Sequence, residues 1–580
     1  MSSPQSKPIP TATLSAAPVD SKPKKGSAFW LSFLALAVSI FLSAIDLTAV
    51  GTALPTVTKA LNGGDDFSWV GSAYALTSTA ILPLSGSLAD IFGRKPIMLV
   101  SIAFFAVGSA IAGASHNMHM LIAARAVQGI GGGGIINLTE IIVSDLVPLA
   151  ERGVYQGLIG LVWAVASGIG PPVGGAFAQH GAWRWLFYMN LPLTGVAFAL
   201  VVIFLRVRSP NGSILTKLAR VDWSGSAIIM AGSTLVIIGL TWGGIQYPWS
   251  SANVLAPLII GLVLIGAFFV FEAKVPREPT IPWEVVTNRT SLGGFVGTFV
   301  HGLASISVIY YLPVYFQACL NASPIRSGVQ SLPTALVIAP FAMICGVTVQ
   351  IMNKYRPVNA MGWILMIIGL GLLCLLKANS DASQWIGFQI VAAAGTGLIY
   401  ASTVFAILAP LPVERTASAL AFFAFLRAFG QTWGITISST ILQNELKRNI
   451  PAAFASQFPQ GSEIAYSAIP IIPTLPEPLR TEVRVAFASS MATVWKTMIG
   501  ICGLGFLSVL LLKEIPMLKY TDGTYGLHEQ EPLEDTEKAV SDDTVDTGET
   551  STSRLDVQFA REEADDENDA AQDETHVTEM

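Results

Sequence analysis

Runs of about 20 mainly apolar residues, the length that carries an α-helix across the hydrocarbon of a bilayer, recur through most of this 580-residue chain. They lie near 29–52, 69–88, 97–115, 120–143, 154–177 and 185–205, then near 223–242 and 254–272, and finally near 291–316, 328–351, 360–376, 385–409, 416–441 and 493–513. Backbone groups in lipid have no water to bond to, so each run is predicted to be a helix that satisfies them internally. The pattern predicts an all-α integral membrane protein of about fourteen spans. Residues 29–205 and 291–513 would form two six-helix bundles, and 206–290 would supply two intervening helices with their loops. The polar stretches between runs are short apart from a long loop at 443–492.

The bundles read as parallel copies, as in transporters built from internal repeats. Pro148-Leu-Ala-Glu151-Arg152 before the fifth run resembles Pro410-Leu-Pro-Val-Glu414-Arg415 before the thirteenth. Gly86, Asp90, Arg94 and Lys95 recur at the same spacing as Gly346, Gln350, Lys354 and Tyr355, so the second copy has lost its acid. Residues 223–272 have no counterpart in either copy.

An even number of spans puts both chain ends on one side. The loops on the Arg94 side hold Arg94, Lys95, Arg152, Arg206, Arg208, Lys217, Arg220, Lys274, Arg277, Arg289, Lys354, Arg356 and Arg415, against Lys59, Arg184, Arg326 and Lys377 in the opposite short loops. The positive-inside rule then makes the Arg94 side cytoplasmic; Lys447, Arg448 and Arg480 run against the bias, but long outer loops obey the rule weakly. On this topology Asn321-Ala-Ser323 is an external N-glycosylation acceptor, whereas the sequons at Asn211 and Asn288 are cytoplasmic and unmodified. Residues 1–28, rich in Ser, Pro and Ala and ending in Lys22, Lys24 and Lys25, are expected to be a disordered cytoplasmic tail, and so is the acidic, aromatic-poor stretch 514–580.

Composition agrees with the pattern and excludes other classes. A chain that is 52% hydrophobic and only 12% charged, with a mean hydropathy of +0.57, is not a soluble protein, in which about a quarter of residues are charged. The net charge of -6 comes largely from the last sixty or so residues and therefore names no ligand. Cys319, Cys345, Cys374 and Cys502 lie in or beside separate apolar runs without CxxC spacing, which argues against a disulfide scaffold or a metal site and makes them lipid-facing or packing residues. His116-x-x-His119 is short of ligands for a metal. The N-terminus lacks a signal-peptide layout, so the first run is expected to stay as a span. The paired bundles, positive-inside loops, sequon and tails suit a eukaryotic cell-surface or vacuolar protein, with no targeting signal deciding between them and the plasma membrane the expected site.

Ionisable groups inside spans are costly and mark function by default. Asp46, in the first run, must face an interior cavity or be protonated, which suits proton coupling; pairing with a neighbouring helix is the plainer reading. Arg125 in the fourth run cannot deprotonate, so it needs a carboxylate, a carbonyl or a wet cavity, with Asp46 a plausible partner; otherwise it snorkels outward. Glu140, on the same helical face as Asn137, is either a second proton site or a partner for Arg152. His301 can titrate near neutrality or simply bond to a backbone carbonyl, and Arg427 must face the interior. Phe295, Tyr310, Tyr311, Phe316, Phe422, Phe423 and Phe425 are either cavity lining or ordinary packing. The glycine run Gly129–Gly134 puts small residues where helices approach closely.

Between the second and third runs stands Gly86-Ser-Leu-Ala-Asp90-Ile-Phe-Gly93-Arg94-Lys95. Its glycines permit close approach or positive φ, and Asp90 lies one helical turn before Arg94. The stretch matches in full the signature loop Gly-x-Leu-x-Asp-x-x-Gly-Arg-Lys/Arg, by which the chain resembles the major facilitator superfamily. Ser68-Trp-Val-Gly-Ser-Ala-Tyr74-Ala-Leu-Thr77 and Trp183-Arg-Trp-Leu-Phe-Tyr-Met-Asn190-Leu-Pro192 are similar to its fourteen-span drug:proton antiporters. So is the fifth run's Gly168-Ile-Gly170-Pro171-Pro-Val-Gly174-Gly175, an element of antiporters and not of symporters. The resemblance spans about Asp46 to Pro192. It implies that Asp90, Arg94 and an acid at the cytoplasmic end of the fourth span, here Asp145, act as a conformational latch with Gly86, Gly93 and Lys95; Lys95 is equally readable as ordinary positive-inside charge.

The expected function is proton-coupled export of an amphipathic organic compound (a drug, toxin or secondary metabolite) by alternating access. The partners are a small-molecule substrate, protons and the bilayer, with no nucleic acid. The proton gradient replaces any cofactor: no GxxxxGK[ST] phosphate loop occurs in the chain, nor does a Ser-His-Asp or metal-ligand arrangement that would point to an enzyme. Uptake or vacuolar loading of basic amino acids or iron chelates by the same fold, a non-transporting sensor acting through the acidic tail, and a passive channel are the alternatives.

Overall fold

Asparagine, serine and aspartate at helix entrances, each accepting a hydrogen bond from a free backbone N–H, set where many of the helices of this protein begin. Asn117, Asp222, Asn288, Ser323 and Asp381 do so through Met120, Gly225, Thr290, Arg326 and Gln384. The computed structural model describes residues 25–61, 68–244, 246–276, 278–455 and 468–517. Most of the two expected tails and the middle of the long loop lie outside these residues.

Among the described residues fourteen helices are long and apolar enough to cross a membrane. They are α1 (Ser27–Leu61), α2 (Ser68–Phe92), α3 (Arg94–Gly113), α4 (Met118–Leu146), α5 (Arg152–Gln179), α6 (Asn190–Phe204, spanning together with the turn from Trp185), α7 (Trp223–Trp242), α8 (Ala252–Glu272), α9 (Arg289–Leu320), α10 (Pro324–Met352), α11 (Arg356–Leu373), α12 (Ala382–Leu408), α13 (Thr416–Asn449) and α14 (Leu479–Ser508). The protein is an all-α integral membrane protein. Its two ends are called the Arg94 face, where the α2–α3 turn lies, and the opposite face.

Three boundaries differ from the hydropathy pattern. A one-turn helix, Trp185–Tyr188, precedes α6. Helix α13 continues to Asn449, and α14 begins at Leu479 rather than near 493, so the stretch between them is shorter than the expected 443–492. The early start of α14 carries Arg484, whose guanidinium donates to the Cys319 and Ala378 carbonyls at 2.7 Å each. Such bonds tie a charged first turn to the ends of its neighbours, where a hydropathy count reads only polarity. Three cysteines, Cys319, Cys345 and Cys502, are buried packing residues, not lipid-facing ones, and Cys374 is half-buried.

With lipid on the outside, helices gain from close backbone contact rather than from expelling water. The glycine run of α4 serves this on two sides. Gly129 and Gly133 lie against Tyr74, Thr77 and Ser78 of α2, and Gly131 and Gly134 against Ser101 and Phe105 of α3. Helices α7 and α8 lie along the seam between the bundles, with Trp242 6.4 Å from Trp69 of α2 and Phe269 6.0 Å from Phe422 of α13.

The bundles meet along two crossings related by the repeat: α5 on α10, and α2 on α13. At the Arg94 face they are in direct contact. Gly153 lies directly on Gly346, and Gly86 directly on Ala421, with no room for a Cβ at any of these glycines. Moving along α5 toward the opposite face, a methyl on Gly157 would come within 2.9 Å of Met343, on Gly160 within 3.3 Å of Ala339, on Gly168 within 3.7 Å of Leu332, and on Gly175 within 3.8 Å of Ile325. The helices are pressed together at the Arg94 face and separate steadily away from it. In the second copy, where the signature acid is missing, Glu514 accepts bonds from the Tyr355 and Arg356 backbone amides instead, at 3.3 and 3.0 Å. Beside it the Tyr355 phenol is pushed up to about 12 by burial, with Glu514 adding to the shift.

Candidate functional site

Helix α4 carries buried polar links at three levels. Nearest the opposite face, Arg125 Nη1 donates to Asp46 Oδ2 of α1 at 2.6 Å. Gln128 Nε2 and Asn190 Nδ2 donate to the other carboxylate oxygen at 2.9 and 2.7 Å. Asp46 is 0% exposed and Arg125 1%, so the carboxylate is enclosed within the first bundle rather than lining an open cavity, and Arg125 does not snorkel. Arg125 also donates to the Gln128 side chain at 2.6 Å and to the Val70 carbonyl at 3.2 Å, and lies 4.5 Å from the Tyr74 ring centroid. Three donors converge on one carboxylate and fix its position, and charge-assisted bonds of this length are about twice as strong as neutral ones.

At the middle level, Glu140 Oε1 faces Arg427 Nη2 of α13 at 3.3 Å and accepts from the Tyr400 hydroxyl of α12 at 3.1 Å. The guanidinium is sandwiched between Tyr400 and Phe423, 4.3 and 4.2 Å from their centroids. This link spans the two bundles. Among the described residues Glu140 Oε2, Arg427 Nε and Asn137 Oδ1 are buried without a hydrogen-bond partner, so the cluster keeps donor and acceptor capacity at the seam. Asn137 Nδ2 donates to Ser85 at 2.8 Å. Arg152, the other partner considered for Glu140, bonds instead to the Ser144 and Val147 carbonyls at 2.7 and 3.1 Å, closing the C-terminal end of α4. His301 lies 3.1 Å from the Thr396 carbonyl through Nε2, the carbonyl alternative, with Tyr400 beside it.

At the Arg94 face, Arg94 donates to Asp145 Oδ2 at 2.7 Å, to Asp90 Oδ1 at 2.9 Å and to the Ala89 carbonyl at 3.0 Å. Arg94 and Asp145 are 2% and 5% exposed. The turn depends on Gly93, whose φ of 95° lies where a side chain is strained and whose Cβ would press on Ser209. Lys95 joins no acid there; its ammonium donates to the Val202 carbonyl at the end of α6 at 2.8 Å.

The glycine–proline element of α5 faces two helices. Gly170 is fitted against Thr48 of α1, two residues after Asp46, while Gly168 and Gly175 face α10; Pro171 lies within the same helix and Gly174 is buried. Asn321 is exposed at the opposite face, in the left-handed conformation that ends α9. Of the aromatic residues considered for a cavity, Phe423 alone belongs to the Arg427 cluster. Phe295, Phe422 and Phe425 stack in the second core, Tyr311 and Phe316 are buried, and Tyr310 is exposed.

The sequence alone assigns no role to Gln128, Asn190 or Tyr400. Gln128 lies three residues after Arg125 on the same helical face, a spacing that signals it. Asn190 belongs to the Trp183–Pro192 string. Tyr400 carries no local signal, because it meets Glu140 across 260 residues of chain.

Comparison with known proteins places this architecture. The family model of the Major Facilitator Superfamily matches residues 36–435. The chain is 39% identical over 533 residues to the efflux pump FUS6 of Gibberella fujikuroi, covering 90% of this chain and 96% of that one. It is 40% identical over 517 residues to the MFS-type efflux pump LUC4 of a Fusarium species, covering 88% and 92%, and 41% identical over 519 residues to the MFS-type transporter gkaD of Penicillium citrinum, covering 88% of each. Among solved structures, the human organic anion transporter MFSD10 shares the fold with a TM-score of 0.54 at 15% identity, covering 84% of this chain and all of that one. The chain belongs to the Major Facilitator Superfamily, among its efflux-type transporters.

Proposed function

We propose that this protein exports an amphipathic organic compound of the toxin or secondary-metabolite kind in exchange for protons, by alternating access across the plasma membrane, with the Arg94 face and both chain ends in the cytoplasm. The observation that carries the reading is the layout of α4. From Arg125 to Asp145 is about 30 Å at 1.5 Å per residue, and along it one helix is tied to the acid of α1, to the second bundle and to the signature loop. A change in Asp46 therefore reaches both the seam and the latch through one rigid element. The efflux pumps among the relatives support the direction.

With the Arg94 face cytoplasmic, bundles pressed together there and parted beyond it make the outward-facing arrangement. A proton arriving from outside neutralises Asp46 and removes the counter-ion of Arg125, whose charge then needs another acceptor. Helix α4 shifts, the Glu140–Arg427 link and the α5–α10 contact part, and the cavity opens inward. Return of Arg125 to Asp46 expels the proton to the cytoplasm as substrate loads. No covalent chemistry is involved.

The experiment is accumulation of a fluorescent lipophilic cation in cells expressing the protein, before and after an uncoupler collapses the proton gradient. Lower accumulation than in empty cells, returning to their level with the uncoupler, is the expected result. Reduced accumulation that persists after the uncoupler overturns proton coupling.

A further inference from the structure

The interposed pair α7–α8 ends at the Arg94 face in two carboxyl groups brought together at Gly225. A Cβ on Gly225 would lie 2.6 Å from Glu272 Oε1 and in collision with Asp222 Oδ2; the absent side chain is what lets both acids occupy one spot. Asp222 is committed on one side, its Oδ1 accepting from the Gly225 amide at 2.9 Å as the N-cap of α7. Its Oδ2 receives the Thr280 hydroxyl at 3.5 Å, and Thr280 in turn lies 3.2 Å from the Ser226 hydroxyl. Glu272 is 4% exposed, and neither of its carboxylate oxygens has a hydrogen-bond partner of ordinary geometry. The same helices and the segment after them contribute Ile229, Phe268, Ile281 and Val285 to the hydrophobic core.

The charged group that acts on Glu272 among the described residues is Asp222, with the main chain of Thr280 and Ile281 alongside. Arg220 is directed to Glu278 at 2.8 Å at the surface, where both are about half exposed, and Lys274 is exposed. Against the weak support of the Thr280 and Ile281 main chain stands a second carboxylate; a buried carboxylate so placed is costly, and two like charges in contact cannot both stay ionised. A divalent cation would ask for six or more oxygens, more than these two acids and two hydroxyls present. A single hydrogen shared between Glu272 and Asp222 satisfies the site.

We propose that Asp222 and Glu272 form a proton-binding site, separate from Asp46 and outside both bundles, that fastens the Arg94-face ends of α7 and α8 to each other while it is occupied. Val221, next to Asp222, packs with Leu84 and Ile91 of α2, so the fastening bears on the helix that carries the signature motif.

The test uses the full chain in lipid nanodiscs, with infrared difference spectra of the protonated-carboxyl stretch at neutral pH and thermal unfolding as a function of pH. The folded chain holds this proton more tightly than the unfolded chain, so the contribution is present at low pH and lost as pH rises through the site's titration. In the wild type the unfolding temperature should fall as pH is raised from about 4.5 to about 8, and Glu272→Gln should remove that component of the slope together with one carboxyl band. Asp222→Asn keeps a good N-cap and offers Glu272 an amide donor, so it too should abolish the band. An unchanged carboxyl band in both variants overturns the proposal. So does a pH slope that Glu272→Gln leaves intact, or a wild-type slope that sodium or calcium removes at fixed pH.

Discussion

Asp46→Asn is expected to abolish proton-driven transport and, separately, to lower the stability of the folded protein by about 3–5 kcal/mol, the cost of leaving a buried charge without its partner. The geometry explains why so small a change does so much. The carboxylate is acceptor-only, and every group around it donates: Arg125 Nη1, Gln128 Nε2 and Asn190 Nδ2. An asparagine can still accept from the two amides through its oxygen, but it turns an NH2 toward the guanidinium 2.6 Å away. Donor then faces donor around an unneutralised cation that has no exposure to water.

That double effect makes the single variant ambiguous, and a second substitution separates the two parts. In Asp46→Asn/Arg125→Gln no charge is stranded and the amides can pair among themselves, so most of the lost stability should return, as the coupling of contacting residues requires. Transport should not return. Thermal unfolding and substrate efflux of both variants decide the matter: recovery of stability alone assigns Asp46 to coupling, whereas recovery of both assigns the pair to structure.

The second large effect concerns the α5–α10 crossing. Gly153→Leu or Gly346→Leu should prevent closure of the Arg94 face, because each added side chain meets the backbone of the other helix. Overpacking costs about 1–3 kcal/mol. If that cost falls only on the closed form, the equilibrium shifts by about five- to 160-fold toward the form open at that face. Transport should be lost while the protein still inserts, and a cysteine placed at Leu332, beside Gly168 on the separated part of the seam, should react more slowly with an impermeant thiol reagent from the opposite face. The same change graded along the helix should weaken, with Gly160→Ala mild and Gly168→Ala tolerated, following clearances of 3.3 and 3.7 Å. Normal labelling and transport in Gly153→Leu would contradict a moving seam.

Much of this was legible in the chain itself. Lipid enforces helices of a minimum length, so the fourteen apolar runs predicted the fourteen spanning helices, and the need of a buried charge for a counter-ion pointed from Asp46 to Arg125. What stayed hidden was the identity of neighbours far apart in sequence. Glu140 meets Arg427 across 287 residues, and only the assembled seam replaces the nearby Arg152 as its partner. Neutral polar residues such as Gln128 and Asn190 carry no cost high enough to announce a role. Glu272 sits at a helix end, where an acid ordinarily faces water, so its burial beside Asp222 is invisible without the fold. Helix α14 began early because Arg484 spends its charge on the carbonyls of neighbouring segments, a contact that a hydropathy window counts as a break.

The most direct measurement of the central claim is proton movement in proteoliposomes reporting internal pH, with the protein facing so that added substrate is pumped. Addition of a compound whose cellular accumulation the protein lowers should drive protons in the direction opposite to the compound, and Asp46→Asn/Arg125→Gln should abolish the signal while remaining folded. Substrate movement with no proton flux, or equal proton flux in the double variant, would contradict exchange through Asp46.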